Sequence, residues 1–337
     1  MRSFVIKIIL YSLPVLLPFL WYVVGVYPNI TGDLGILGHI RFPYGYSKID
    51  TTLHAAVTNV TYDYTSYNDS SVLIIGDSFS FNTATVTSYT TFLAQMTDRQ
   101  ILNLSRNWNT NTFYRFLYLS QTVQLPPVVI IEVVERAFLR RLTGFDIRLS
   151  AQQILQRKQV TLTPPAASTP SRDKSMLSKA QEWSKRKLKL DGYDNPVYHL
   201  PLSRDLFSCR GKRDDLYFYR DDIKYINSDS LVLQQAIDNL DALFDYASRL
   251  GIDLYVLVAA DKYDVYQDFI IDNPYPPQDL CVRLAEQYPH PHLILSKDTL
   301  YRMASEGVQD IFWGNNTHWS PIGAEAVAAQ VMRRVSW

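Results

Sequence analysis

An α/β fold with a mostly parallel sheet is predicted by three features of this sequence of 337 residues. First, 47% of the residues are hydrophobic, which is enough to build a large core. Second, apolar runs of strand length recur along the chain. Third, helical patterns lie between several of these runs. Strands that alternate with helices favour a parallel sheet that is covered by helices on both faces.

The N-terminal segment has the composition of a membrane span. Residues 8–32 contain no Asp, Glu, Lys or Arg and are long enough to cross a bilayer as a helix. Arg2 and Lys7 precede this stretch and acidic Asp33 follows it, so the positive-inside rule puts the rest of the chain outside the cytoplasm. The alternative is a cleaved signal peptide, which the length of the span and the lack of a small-x-small cleavage site disfavour. We therefore expect residues 1–32 to form a single-pass anchor with a cytoplasmic N-terminus.

The folded domain is expected to start near Ser71, after an irregular approach segment at 33–70. The predicted strands lie at 72–75, 101–104, 128–134, 254–258 and 293–295, and the predicted helices at 87–96, 112–122 and 231–250. The last of these helices is the clearest, because apolar residues recur at steps of three and four and Gly251 follows as a stop signal. A further helix is predicted to begin at Ser320 or Pro321.

An insertion at about 142–225 is expected to interrupt the sheet. Within it, a linker rich in Pro, Ser and Thr precedes a helix that carries five basic residues, Lys179, Lys185, Arg186, Lys187 and Lys189. A basic helical face is usually just solvated, and binding of an anionic polymer, headgroup or partner is the alternative.

Charge and cysteine content exclude several classes of function. The 33 basic and 33 acidic side chains balance, so no overall field attracts nucleic acid and no nucleic-acid partner is expected. The only two cysteines, Cys209 and Cys281, lie far apart and in no metal-type spacing, so a zinc site on cysteines is unsupported. We expect no metal site and no cofactor. The two thiols either form one disulfide outside the cytoplasm or stay free and buried.

Ser78 is a candidate nucleophile in the stretch SVLIIGDSFSFN, where a short apolar strand runs into Gly-Asp-Ser-Phe. Any strand exit can look like this, so a turn serine is the alternative. A serine hydroxyl needs a base to remove its proton. Of the six histidines, only His318 combines a loop at the sheet edge, small polar neighbours and a following helix.

Two segments resemble the first and last blocks of the SGNH or GDSL-type hydrolases, namely IIGDSFS and THWSPIGAEAVA. Within that superfamily, VVIIEVVERAFLRR and LYVLVAADKYDVY resemble segments of the membrane-anchored alginate O-acetyltransferase-like and D-alanyl transfer protein-like members. The resemblance covers roughly 71–337, with the insertion least matched. It implies a three-layer α/β/α domain in which Ser78 is the nucleophile and His318 the general base.

The resemblance also implies oxyanion donors and residues that organise the site. The N–H of Ser78 is one donor, and the family adds a glycine where this chain has Ser105. We therefore predict the Ser105 backbone N–H as the second donor, with Asn107 as the next choice. Asp77 of the GDSF motif is predicted to organise the site, together with Glu132, Glu135 and Arg136. A buried structural ion pair is an equally good interpretation of the Glu and Arg side chains around 132–136.

One departure from the family concerns the acid of the triad. The family usually has Asp two or three residues before the histidine, and this chain has Asn316 and Asn315 there. The Asn316 carbonyl can accept from His318 Nδ1–H, so Asn316 is assigned the triad position, but an amide stabilises a protonated imidazole less well than a carboxylate. The site is then slow, or it takes its acid from elsewhere, with Asp310 as one candidate, or it is inactive.

The function implied by the resemblance is an anchored, extracytoplasmic O-acyltransferase that uses a serine acyl-enzyme. The expected acyl group is acetyl, the expected substrate is a cell-surface or exported polysaccharide, and the implied partner is a membrane-bound O-acyltransferase that supplies the acyl group. Two alternatives stay open from the sequence: a carbohydrate esterase or deacetylase of the same fold, and an inactive subunit that binds polysaccharide or acts as a scaffold.

Overall fold

The computed structural model describes residues 4, 7, 11–17, 32–38, 57–59, 71–81, 87–105, 110–160, 196–223 and 229–337. The strands are β1 Thr58–Asn59, β2 Ser71–Ile75, β3 Gln100–Asn103, β4 Val128–Val134, β5 Val197–Pro201, β6 Asp215–Tyr219, β7 Asp253–Ala259 and β8 Leu293–Leu295. The helices are α1 Asp33–Gly38, α2 Tyr89–Met96, α3 Thr112–Thr122, α4 Glu135–Thr143, α5 Ala151–Gln156, α6 Ser230–Arg249, α7 Lys262–Tyr266, α8 Leu280–Gln287, α9 Lys297–Ser305 and α10 Pro321–Arg334.

Six strands form one parallel sheet in the order β1-β3-β2-β4-β7-β8. This arrangement confirms the predicted α/β fold with a mostly parallel sheet. The chain leaves β2 toward β3 on one side and later returns to β4 on the other side of β2. Ligands of open α/β sheets bind at such a reversal, outside the carboxyl ends of the strands.

The sheet is buried on both faces. In β2, Val72 and Ile74 belong to one hydrophobic cluster, whereas Leu73 and Ile75 belong to another. The first cluster includes buried side chains of α2 and α10, and the second includes those of α3 and α6. Alternate side chains of a strand point to opposite faces, so helices cover both sides of the sheet.

The N-terminal part of the chain is described only in short pieces. Residues 11–17, inside the predicted anchor, are helical. The rest of the predicted span, apart from Gly32, lies outside the described residues. Within the part of the chain that the structure describes, no helix has both the length and the apolar character that a bilayer span requires.

The segment interpreted as an irregular approach contributes two elements to the domain. β1 pairs with β3 and forms one edge of the sheet. In α1, the Leu34 side chain is fully buried and clusters with Val197, Cys209 and Tyr217 of the β5–β6 hairpin and its loop.

That antiparallel hairpin lies within the predicted insertion, whose basic helix falls at residues outside those described. Cys209 and Cys281 are both free thiols and both buried, and they belong to different hydrophobic clusters.

Candidate active site

Ser78 lies two residues beyond Gly76 at the carboxyl end of β2 and is half-buried. The turn that carries it is held by two carboxylates. Glu132 Oε2 accepts from the Asp77 N–H at 2.9 Å and from Ser80 Oγ at 2.8 Å. Asp77 Oδ1 accepts from the Phe79 N–H at 3.3 Å. The amides on both sides of Ser78 are therefore engaged, whereas the Ser78 N–H meets no acceptor among the described residues.

The two carboxylates of this turn lie in different electrostatic surroundings. Burial, together with the nearby Asp77 charge, raises the pKa of Glu132 well above its usual value. Burial opposes the charge on Asp77 as well, but Arg141, whose Nη1 lies 3.2 Å from Asp77 Oδ2, helps to lower the pKa of Asp77 below its usual value. Glu132 is thus the protonated partner and Asp77 the ionised one, which allows the pair to be buried together.

Ser105 follows β3 at the level of Gly76, because Ile74 pairs with Asn103 in the parallel register. Neighbouring strands lie about 4.8 Å apart, so Ser105 is one strand spacing from the start of the Ser78 turn. Ser105 is buried, and its Oγ has no hydrogen-bond partner among the described residues. Asn107, the second choice as oxyanion donor, lies outside the described residues.

Arg115 connects the ends of these two strands and was not singled out in the sequence. It lies in α3 and is fully buried. Its Nη1 donates to the Gly76 carbonyl at 2.7 Å, and its Nη2 donates to the Leu104 carbonyl. The sequence contains a pattern that could have identified Arg115, because FYRFLYL places a single cation among the apolar residues of a helix.

His318 lies on the loop before α10, as predicted. Ser320 caps this helix by accepting from the Ile322 N–H at 3.0 Å, and Pro321 begins it. The His318 ring is 4.9 Å from the ring of Phe79, which is the residue after Ser78. The fold thus brings both sequence motifs to one edge of the sheet. No hydrogen bond joins Ser78 Oγ to His318 within the described part of the chain; in free enzymes this bond is often long.

Asn316 determines which nitrogen of His318 carries the proton. Its Oδ1 accepts from the His318 backbone N–H at 3.1 Å and lies 2.6 Å from His318 Nδ1. An atom that accepts from an N–H is the amide oxygen, so Nδ1 is the donor in the shorter contact. In the neutral imidazole Nε2 is then the basic nitrogen, which is the tautomer a general base needs.

Asp33, which was not predicted as a site residue, lies on the same side of the imidazole. Its Oδ2 is 3.5 Å from His318 Nδ1, and its Oδ1 accepts from the Thr317 N–H at 2.8 Å. Burial opposes the charged form, but the neighbouring His318 ring and the hydrogen bonds from Thr317 lower the pKa of Asp33 below its usual value. Asp310, the candidate acid in the sequence, instead accepts from the Ser208 N–H at 2.9 Å.

Lys262 holds the loop that carries His318. Its side chain is fully buried, and its Nζ donates to the carbonyls of Trp313 at 2.8 Å, Gly314 at 3.0 Å and Asn316 at 3.3 Å. Three acceptors around one ammonium group satisfy all of its protons.

Arg136 lies at the start of α4 in a network of ion pairs. Its guanidinium group pairs with Asp261 and with Asp222, the latter at 3.2 Å. Burial works against its charge, yet both carboxylates raise the pKa of Arg136 above its usual value. In this structure Arg136 connects β4, β7 and the turn after β6, which is the arrangement of a structural ion pair.

Glu135, Asp264 and Cys281 form a buried cluster whose potential ligand atoms all lie within 4.8 Å of one another. Lys297 Nζ lies 2.5 Å from Asp264 Oδ1 and already supplies the cation of this cluster. Cys281 Sγ donates to Glu135 Oε1 at 3.4 Å, and burial raises the pKa of both groups well above their usual values. Protonated groups beside an ammonium fit a hydrogen-bonded core cluster better than a set of metal ligands.

The parallel sheet, the serine after β2 and the histidine before the last helix are the arrangement that the resemblance to SGNH-type hydrolases implies. Residues 210–336 match the family model described as the SGNH hydrolase-like domain of the acetyltransferase AlgX. The match confirms the resemblance to SGNH-type acetyltransferases over these residues. It includes His318 and Lys262, whereas Ser78 and Asp33 lie before it. No curated protein and no solved structure matched the chain.

Proposed function

We propose that this protein is a serine-dependent O-acyltransferase that transfers acetyl groups to a cell-surface or exported polysaccharide. One observation carries the proposal: the Asn316 carbonyl holds the Nδ1 proton of His318, so that Nε2 is left as a base at the sheet edge where Ser78 lies. The acetyltransferase family matched by residues 210–336 supports the choice of acyl transfer.

The chemistry divides into two half-reactions. Ser78 Oγ attacks the donor carbonyl carbon while its proton passes to His318 Nε2, and the carbonyl electron pair moves onto the oxygen. The resulting oxyanion accepts from the Ser78 N–H and, in our proposal, from the Ser105 N–H. When the intermediate collapses, the leaving group takes the proton from the imidazolium. A sugar hydroxyl then attacks the acyl-serine by the same path, and Ser78 Oγ regains a proton through His318.

The cellular setting is part of the proposal. Residues 8–32 without charge, preceded by Arg2 and Lys7, favour an anchor that places the domain outside the cytoplasm. A membrane-bound O-acyltransferase would then pass the acyl group across the bilayer to Ser78. The resemblance to polysaccharide O-acetyltransferases supports both the partner and the substrate class.

Labelling with a fluorophosphonate tests the nucleophile. We expect the wild type to be labelled and Ser78→Ala to be unlabelled, because only an activated serine reacts. Ser305→Ala, which removes an exposed serine of α9, is the matched control and keeps its label. A wild type that is folded by circular dichroism but takes no label would refute the proposed enzyme and favour an inactive binding subunit.

Acceptor dependence separates a transferase from an esterase. With a model acetyl ester as donor, we expect an added oligosaccharide to become acetylated, in competition with release of acetate. Mass spectrometry of the oligosaccharide gives the result. Release of acetate with no acetylated oligosaccharide for any acceptor tested would favour the esterase alternative.

A further inference from the structure

A triad acid orients the histidine and stabilises its protonated form, and a neutral amide does only the first of these well. Asn316 Oδ1 orients His318 and selects its tautomer through a contact of 2.6 Å. When Nε2 takes the serine proton, however, the ring becomes a cation, and an amide dipole stabilises that cation less than a carboxylate does. A site with Asn316 alone would therefore be slow.

Asp33 places a negative charge at the same ring nitrogen. Its Oδ2 lies 3.5 Å from His318 Nδ1, and the carboxylate is fixed by the Thr317 N–H and by Thr317 Oγ1. The imidazole side chain is 20% exposed and that of Asp33 is 32% exposed, so water only partly screens this pair. The Asp33 carboxylate thus has a fixed position and also the negative charge that Asn316 lacks.

The segment that carries Asp33 is docked on the histidine loop by contacts of its own. The N–H groups of Leu34 and Gly35 both donate to the Asn315 carbonyl, at 3.1 and 3.2 Å. Gly32 has a φ of +74°, and a Cβ there would meet the Asn315 side chain at 2.7 Å. Leu34 is fully buried against the β5–β6 hairpin. Asp33 is therefore held beside His318 by the hydrogen bonds and the packing of its neighbours in the segment.

We propose that Asp33 is a positioning residue that completes the triad from outside the sheet, by stabilising the protonated form of His318. This inference rests on the proposed function. It has a consequence for regulation: activity requires residues 32–38 to be docked, and these residues follow directly on the predicted membrane span.

Two other ionisable groups lie near the Asp33 carboxylate, and they affect how the variants below are compared. Besides His318, the ammonium of Lys262 and the carboxylate of Asp222 are near enough to interact with it electrostatically. Asp33→Asn removes the interactions of Asp33 with both of these groups as well as with His318, so the single variant is compared with a rescue variant that returns a carboxylate to His318 Nδ1.

The test is a set of three variants assayed on a model acetyl ester and by the rate of fluorophosphonate labelling. Asp33→Asn keeps the shape and removes the charge, and we expect kcat/KM to fall at least tenfold, up to roughly ten thousand-fold. Asn316→Asp in the Asp33→Asn background returns a carboxylate to Nδ1 and is expected to recover most of the loss. Asp298→Asn removes an exposed carboxylate of α9 and leaves kcat/KM unchanged.

Rescue by Asn316→Asp distinguishes this role from a structural one, because it returns a negative charge to His318 Nδ1 without changing residues 32–38. Unchanged kcat/KM in Asp33→Asn would overturn the inference, and so would a loss that Asn316→Asp does not rescue. If instead the wild type takes no label at Ser78, the proposed function itself fails, and that outcome is read from the wild type rather than from Asp33→Asn.

Discussion

Lys262 shows how a single buried residue connects the sheet to the site. It is the first residue of α7, directly after β7, and its Nζ reaches three carbonyls of the loop that carries His318. Burial lowers the pKa of Lys262 to about 7, although Asp33, Asp222 and Asp310 act to raise it. The residue thus titrates near neutral pH inside the folded protein.

This shift predicts a pH dependence of stability that Lys262→Met removes. Between pH 7 and pH 10.5, the ordinary value for lysine, the unfolded chain binds more protons at this position than the folded chain. The free energy of unfolding contributed by Lys262 therefore rises with pH. In urea titrations at pH 7, 8 and 9, the advantage of the wild type over Lys262→Met should grow. Arg302→Met, which removes an exposed cation, should parallel the wild type, and an advantage that stays level would contradict the assigned shift.

The turn after β2 is the element that positions Ser78, the proposed nucleophile. Gly76 lies against Ser80 and Glu132, and a Cβ at this position would approach Glu132 Oε2 to 2.9 Å and would also overlap Ser80 Oγ. Those same two side chains hold the turn, since Ser80 donates to Glu132 at 2.8 Å. The glycine of the GDSF motif is thus required for close packing rather than for an unusual backbone angle.

Gly76→Ala is therefore expected to destabilise the protein by about 3 kcal/mol, the upper end of the usual cost of overpacking, and to reduce labelling of Ser78. Gly251→Ala is the matched control. Gly251 has a φ of +72° and no neighbour within 4 Å of an added Cβ, so its cost is only about 1 kcal/mol of backbone strain and labelling should persist. Thermal unfolding and labelling, measured together, check both variants. If the two variants showed equal stability and equal labelling, close packing at Gly76 would not be needed for either property.

At the scale of the whole molecule, the proposed active site is assembled from both ends of the chain. Asp33 and the predicted span lie at one end, whereas His318 lies near the other, and Thr317 joins the two through its hydrogen bonds to Asp33. If residues 8–32 cross the membrane, the site lies close to the bilayer surface, where an acyl group delivered by a membrane partner would arrive.

The proposed orientation can be measured with a membrane-impermeant maleimide. Cys209 and Cys281 are each 1% exposed, so native thiols give little background. An added thiol in Glu306→Cys, at an exposed position after α9, should react in intact cells or spheroplasts. Ser3→Cys, before the predicted span, should react only after lysis. Reaction of Glu306→Cys only after lysis would contradict an extracytoplasmic domain.

Much of the fold follows from patterns between neighbours in the sequence. The predicted strands agree with β2, β3, β4, β7 and β8 to within one residue at each end, and the predicted helices recur as α2, α3, α6 and α10. Apolar periodicity and capping residues act over a few positions, so a single sequence is enough to locate them. The same patterns did not predict the hairpin β5–β6 or helix α1, because these elements are stabilised by packing against each other.

The sequence by itself determined the α/β class and named Ser78 and His318, because each lies beside a local pattern that is visible in the chain. Only the tertiary structure decided what surrounds them. Asp33 comes from a segment without recognisable periodicity, and it meets His318 through a contact between opposite ends of the chain. Such a contact depends on how the layers pack, which no local pattern encodes. The GNNTHW segment lacks a triad acid, and Asp33, the residue proposed to supply it, is distant in sequence but close to His318 in the folded protein.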